Sequence, residues 1–287
     1  MNYVKTAILL AALAALLIFA GGALGGKQGA MIGLVLAGVM NIGSYWFSDK
    51  IILRMYKAKE VTSETDPELT GIVSELAQKA RLPMPKVYVM DKDVPNAFAT
   101  GRNPHHAAVA VTSGIRKILT REELMGVMAH ELAHVQNRDI LIATISATIA
   151  GAISYMAQIA MWSSMFGGRG NRSVHPAVLI VMMILAPIAA MIIQMAISRS
   201  REYVADKVGA EIVGNPTYLA EALKKLEYHN QRAPMQKVND ATAHMFIVSP
   251  LSSKASGGAG FKMHRLFSTH PPMDERIRRL EAMVGIV

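Results

Sequence analysis

Four stretches of this chain stay apolar over the length of about 20 residues that a helix needs to cross a bilayer. They are residues 4–25, 30–47, 140–162 and 177–197. None contains Asp, Glu or Arg, and their one Lys is Lys5, at the edge of the first. Trp46 and Trp162 stand at span ends, where aromatic belts lie. Pro187 falls inside the fourth stretch, and membrane helices tolerate such a kink. The first stretch is longer than a usual signal core and reads as a retained anchor.

Between and after these stretches the pattern becomes mixed. "DPELTGIVSELAQKAR" has helical spacing behind acidic capping residues. "KVYVMD" and "AAVAVTSGI" are β-branched runs that predict strands, and "VPNAFATGRNPHH" between them predicts a turn-rich loop. "TREELMGVMAHELAHVQNRD" predicts a helix from Thr120, with Glu122 and Glu123 in its first turn, running almost directly into the third apolar stretch. After the fourth stretch, "SREYVADKVGAEIV", "PTYLAEALKKLEYHN" and "HPPMDERIRRLEAMV" predict three helices, and "SSKASGGAGFK" a mobile loop or lid. There is no internal repeat. The expectation is an α+β chain in four parts: a membrane hairpin at 1–48, a folded piece at 49–139, a second hairpin at 140–198 and a second folded piece at 199–287.

Charge orients this arrangement. Lys50, Arg54, Lys57 and Lys59 follow the second stretch, and Arg199, Arg201 and Lys207 follow the fourth. Lys27, Arg169 and Arg172 are the sparse cations of the other two connections. Dense basic flanks stay in the cytoplasm, which puts both termini and both folded pieces inside. The net charge of +9 therefore reads as contact with a lipid bilayer; no RNA- or DNA-binding motif is present, so nucleic acid is not an expected partner. The 52% hydrophobic content excludes a disordered chain. With no cysteine, any metal must be held by His, Asp or Glu.

His130 and His134 lie four apart on the Thr120 helix, so both imidazoles share one face and can meet one ion. Glu131 sits about 100° round from His130, beside that ion, where it can take a proton from the attacking water. A catalytic zinc needs a third protein ligand and an open position. Glu202 is the best candidate, just after the fourth stretch and on the same side; its bland alternative is a salt bridge with Arg199 or Arg201. Asp206, one turn on, can orient a ligating histidine.

"AHELAHVQNRD", a hydrophobic hairpin, "SREYVADKVGA", "NAFATG" and "HPP", in their order along the chain, resemble the HtpX family of membrane zinc metalloproteases, relatives of the CAAX prenyl protease. The resemblance implies a zincin-like, gluzincin-type cytoplasmic domain with a small β-sheet. It implies one zinc ion on His130, His134 and Glu202, with Glu131 as general base, and it implies stress-related quality control of misfolded or damaged membrane proteins at the cell membrane. It further implies that Asn96 lies beside the substrate, that His270 steadies the oxyanion, and that Arg276 braces the ligand shell. Asn96 after Pro95 also suits a plain turn. An extended substrate is expected on an exposed strand edge near "AAVAVTS". His105, His106, His175, His229, His244 and His264 are expected to face solvent or to pack, with no role assigned to His244. Two rivals remain: a metal-binding membrane scaffold or adaptor without proteolysis, which would want ionisable residues inside the spans, and a site-2-type intramembrane protease, whose motif would lie within a span.

Overall fold

The structure is a computed structural model that describes residues 2–142, 145, 199–232, 247 and 271–286. The third and fourth apolar stretches, apart from 140–142 and 145, lie outside the described residues, as do His175, His244, His264, His270 and "SSKASGGAGFK".

Helix α1 covers Asn2–Met55 and cannot be one straight rod. A side-chain hydrogen bond joins Asn41 Nδ2 to the carbonyl of Leu10 at 3.1 Å. In a straight helix, 31 residues of rise at 1.5 Å each would hold them about 46 Å apart. The chain doubles back at Gly26, whose φ of 58° suits a residue without Cβ. Leu13, Leu17 and Ala37 pack across the resulting hairpin. Among the described residues, Gly26–Phe47 is the one segment long and apolar enough to cross a membrane, and Leu10–Phe19 is a shorter apolar segment.

A four-stranded sheet follows, with strands β1 (Lys59–Val61), β2 (Lys86–Met90), β3 (Ala97–Gly101) and β4 (Ala107–Thr112). Its order is β1-β2-β4-β3; β2 and β4 run parallel and the other two pairs antiparallel. Two expectations change here. "AFATG" lies in strand β3 and not in a loop, with Asn96 just before it. The sequence reads otherwise because Pro95-Asn96 signals a turn and the strand is short, with small residues; pairing with β4 decides its state. "AAVAVT" is the inner strand β4, paired on both sides, so it offers no edge. Among the described strands, the outer ones are β1 and β3.

The period-two alternation sorts side chains onto two faces. Val87, Ala97, Ala99, Val109 and Val111 join the main helical core. Met90, Phe98, Ala108 and Ala110 pack against Ile52 and Leu53 at the end of α1. The helical layer contains α2 (Pro67–Lys79), α3 (Ser113–Ile118), α4 (Arg121–Gln136), α5 (Arg199–Val213), α6 (Pro216–Arg232) and α7 (Met273–Glu281). Asp66 caps α2 by accepting from the Leu69 amide. Thr120 and Glu123 form a reciprocal capping box at the start of α4. Helix α4 is buried from Glu123 to Ala133 because α2, α5, α6 and β3 surround it. It lacks an amphipathic stripe for that reason. Each large apolar side chain it buries, such as Met128 and Leu132, contributes about 1.5–3 kcal/mol.

Candidate active site

Helix α4 brings His130 and His134 to one face, their rings 4.8 Å apart and edge to face. Helix α5 lies across that face. Glu202, Asp206 and Gly209 fall at i, i+4 and i+7, so all three look toward α4. Gly209 permits the approach: a Cβ there would stand 2.9 Å from the His130 amide nitrogen and 3.0 Å from its Cα. The separation of the two helices is thus set at the residue that carries the first histidine.

Glu202 reaches both imidazoles. Its Oε2 lies 3.7 Å from His130 Nε2, and its Oε1 lies 3.5 Å from His134 Nε2. One donor atom from each of the three residues falls within 4.8 Å of the others. A tetrahedral ion with ligand bonds of about 2.0–2.2 Å needs donors about 3.3–3.6 Å apart. The carboxylate comes near this spacing through a separate oxygen to each nitrogen, and two imidazoles with one carboxylate are the donor set of a catalytic metal with a position left open.

Each histidine has a carboxylate behind it, and each carboxylate has an arginine. On the first branch, Asp206 Oδ1 stands 3.0 Å from His130 Nδ1, at hydrogen-bond distance although not in hydrogen-bond alignment. Arg276 of α7 grips Asp206 with two donors, Nε at 2.9 Å and Nη2 at 2.7 Å, and its Nη1 lies 3.7 Å from Glu202 Oε2. Arg276 is completely buried, so its charge is balanced inside the protein and not by water. On the second branch, Asp139 Oδ2 lies 3.6 Å from His134 Nδ1, and Arg201 Nη1 lies 3.6 Å from Asp139 Oδ1.

Asp139 reaches His134 because of the way α4 ends. Arg138 takes the left-handed conformation, φ 59°, and the Asp139 amide donates back to the His134 carbonyl at 2.9 Å. This left-handed stop turns the chain under the last helical turn. Helix α4 therefore ends at Gln136, and helical structure resumes at Ile140, so a break of three residues separates it from the third apolar stretch that it was expected to reach almost directly. Neither Asp139 nor its contact with Arg201 was evident in the sequence. The signal was there, an Asp five residues after a ligand histidine at a helix end, but it acts only once that stop is known.

Glu131 turns away from the ligand face and toward the sheet. Its Oε2 accepts from the Ala99 amide of β3 at 2.9 Å. Residues 96, 98 and 100 direct their backbone groups at β4, as the Thr112 amide bond to the Asn96 carbonyl shows. The Ala99 amide thus projects from the outer edge of the sheet, directly at Glu131. Asn96 is buried at the start of this strand, its Oδ1 accepting from the Ile247 amide at 3.3 Å. Arg276 Nη1 donates to the Ile247 carbonyl, so one residue ties Asn96 to the Arg276–Asp206 branch.

Without a metal, the electrostatics are those of a closely packed charge cluster. Burial raises the Glu131 pKa above the usual carboxylate value, against the pull of His130 and His134. For His134, burial works against the charged form, but Asp139 and Glu202 outweigh it and push the pKa up to about 10. For Asp206, burial works upward and is overcome by Arg276, which holds the carboxyl below its ordinary range.

The structure thus brings together His130, Glu131, His134, Glu202, Asp206 and Arg276, all singled out in the sequence, and places Asn96 one strand away. Glu202 also shows that its two readings are compatible: it faces the histidines while the arginine of α7, Arg276, stands behind it.

Comparison with known proteins agrees with this geometry. Peptidase family M48 matches residues 63–284. A "Protease HtpX homolog" of Syntrophotalea carbinolica (strain DSM 2380 / NBRC 103641 / GraBd1) is 59% identical over 286 residues, covering 99% of both chains. "Protease HtpX" of Legionella pneumophila subsp. pneumophila is 53% identical over 286 residues, covering 98% of this chain and 99% of that one. The crystal structure of S. mikatae Ste24p shares the fold at a TM-score of 0.53 and 19% identity; it aligns with 98% of this chain, which spans 65% of that longer one. A match over most of the chain and full-length relatives above half identity lead to one conclusion: this chain belongs to peptidase family M48, in its HtpX group, and is a metalloprotease.

Proposed function

We propose that this metalloprotease is a zinc endopeptidase held in the cell membrane by two helical hairpins, residues 1–48 and 140–198. Its catalytic pieces, 49–139 and 199–287, then face the cytoplasm. There it cuts peptide bonds in misfolded or damaged membrane proteins, as a quality-control enzyme. The observation that carries this reading is the largely buried cluster of His130, His134 and Glu202 with Glu131 beside it, against the outer side of strand β3. The apolar Gly26–Phe47 segment and its basic flank support the membrane part.

Zinc suits the donor set, two imidazoles and a carboxylate with no thiolate in the chain. When bound, zinc polarises the substrate carbonyl and makes water nucleophilic near neutral pH. The protein supplies the rest. An extended substrate pairs with the outer edge of β3, in place of the "AAVAVTS" edge that the sequence suggested. This sets the scissile bond beside Glu131. Glu131 takes the proton of the attacking water and hands it to the leaving amine; the Ala99 amide holds its carboxylate in place for this. Asp206 and Asp139 hold the two imidazoles in register. His270, as the family resemblance implies, donates to the developing oxyanion.

The test is Glu131→Gln. Zinc near one per chain in both proteins, with cleavage of an unfolded protein only by the wild type, supports the division between ligand and base. Full cleavage by the variant would remove Glu131 from the mechanism.

A further inference from the structure

A second site lies outside the catalytic cluster, where α1 leaves its apolar segment. A groove of about 1050 Å³ is lined by the last turns of α1 and by Tyr88 of β2. Its walls carry three cations, Lys50, Arg54 and Lys57, and no carboxylate. All three are exposed. Among the described residues, none has a carboxylate within ion-pair reach. The nearby Glu60 is taken up by Lys86 and Tyr88.

Lys50 and Arg54 lie at i and i+4 on one face of the helix, and Lys57 follows in the turn just past its end at Met55. Phe47, Ile51 and Met55 run beside them at i, i+4 and i+8, and are 50%, 47% and 50% exposed. A row of cations next to a row of bare apolar side chains matches an amphiphile: phosphate on one row, acyl chain on the other. Free phosphate would leave the second row in water. The groove starts where the Gly26–Phe47 segment ends, so Lys50 is about 4.5 Å of helix rise past Phe47 and Arg54 about 10.5 Å. The headgroup layer is about 5–8 Å deep on each side of a bilayer. Helical Cα–Cβ bonds tilt toward the N-terminus, which here is the bilayer side, so these long side chains lean back into that layer.

The end of α1 is unusual in the same place. Lys57 takes the left-handed conformation, φ 53°, at a helix stop where glycine costs least. A lysine kept there, on the groove, spends conformational energy on a charge.

We propose that this groove binds the headgroup and upper acyl chain of an anionic phospholipid from the leaflet that α1 enters. The inference rests on the membrane reading given above. The bound lipid fixes the level at which the catalytic sheet sits, since Arg102, just after β3, stacks on Trp46 at 4.6 Å and Tyr56 packs on Phe98 of β3.

Trp46 makes a reporter one turn from Lys50, and the chain has only two tryptophans. The full-length protein carrying Trp162→Phe is reconstituted in phosphatidylcholine vesicles. Quenching of Trp46 is followed as phosphatidylglycerol or phosphatidylcholine with brominated acyl chains replaces the host lipid. Each cation near an anionic surface contributes about a fivefold preference. Half-quenching is therefore expected at a several-fold lower fraction of phosphatidylglycerol, and the preference should shrink as salt rises. The variant Lys50→Gln, Arg54→Gln, Lys57→Gly should lose the preference, half-quenching then falling at about the same fraction of either lipid. It keeps its fold, because the positions are exposed and glycine suits the Lys57 conformation; unchanged metal content and unchanged cleavage in detergent check this. Equal quenching by both lipids overturns the proposal while leaving the membrane reading intact. Loss of the preference on adding inorganic phosphate, where sodium chloride of equal ionic strength leaves it standing, overturns it in favour of a soluble-anion site. No quenching by either lipid removes the membrane reading, and the lipid site with it.

Discussion

At the scale of single residues, Asp139 makes the sharpest prediction. It stands behind His134 as Asp206 stands behind His130, but its 3.6 Å approach is looser than the 3.0 Å of Asp206. Carboxylates that orient metal-binding histidines change affinity by about 10–100-fold when removed. Asp139→Asn should therefore weaken zinc, read by competition with a chromophoric chelator, while the fold stays intact because Asn tolerates the same turn. If zinc affinity is unmoved, Asp139 only closes the helix end. The histidine pair and Glu131 were legible in the sequence because their spacing alone sets their geometry on any helix. Glu202 and Asp206 were legible as candidates, since few acidic residues follow the fourth apolar stretch so closely. Asp139 was not, because its role depends on Arg138 turning left-handed.

Among the elements, the packing of α5 on α4 governs the site, and Gly209 governs that packing. A Cβ at 209 meets backbone atoms of α4 at 2.9 and 3.0 Å, which no side-chain rotation can relieve. Gly209→Ala must push the helices apart, moving Glu202 off the histidines seven residues along the same face. Overpacking of this kind costs about 1–3 kcal/mol. The expected result is a lower melting temperature together with weaker zinc. Gly71 in α2 is the control, since a Cβ there meets nothing within 4 Å. Gly71→Ala should stabilise by about 0.5–1 kcal/mol through helix propensity alone and leave zinc unchanged. An equal response at both glycines would contradict this account. Helix boundaries were readable from period and caps, as the Thr120 capping box illustrates. Strand order was not. A sequence tells which runs prefer an extended state, but "AFATG" becomes a strand only because β4 offers a partner, and that pairing is what makes β3 the edge beside Glu131.

For the molecule as a whole, the metal site joins parts far apart in the chain. Helix α4 precedes the second pair of apolar stretches, α5 follows them, and Arg276 arrives from the last helix. Without an ion, this junction buries Glu131, Glu202, Asp206, Arg276 and His130 together, with His134 half-buried beside them. Its carboxylates face a cationic His134 whose pKa is raised to about 10. An ion on the three donors replaces that proton and ties the two halves through bonds. Ligand binding to the folded state alone adds about 4 kcal/mol at a thousand times the dissociation constant. Chelation should therefore lower the melting temperature by several degrees in wild type, and readdition of zinc should restore it. Glu131→Gln should show the same shift, since Glu131 is not a ligand. His134→Ala should show little or none, starting from the low value. A chelation shift that persists in His134→Ala would place the stabilising ion elsewhere. A shift that disappears in Glu131→Gln would make the base a part of the ligand set, and the separation of roles built on α4 would fail.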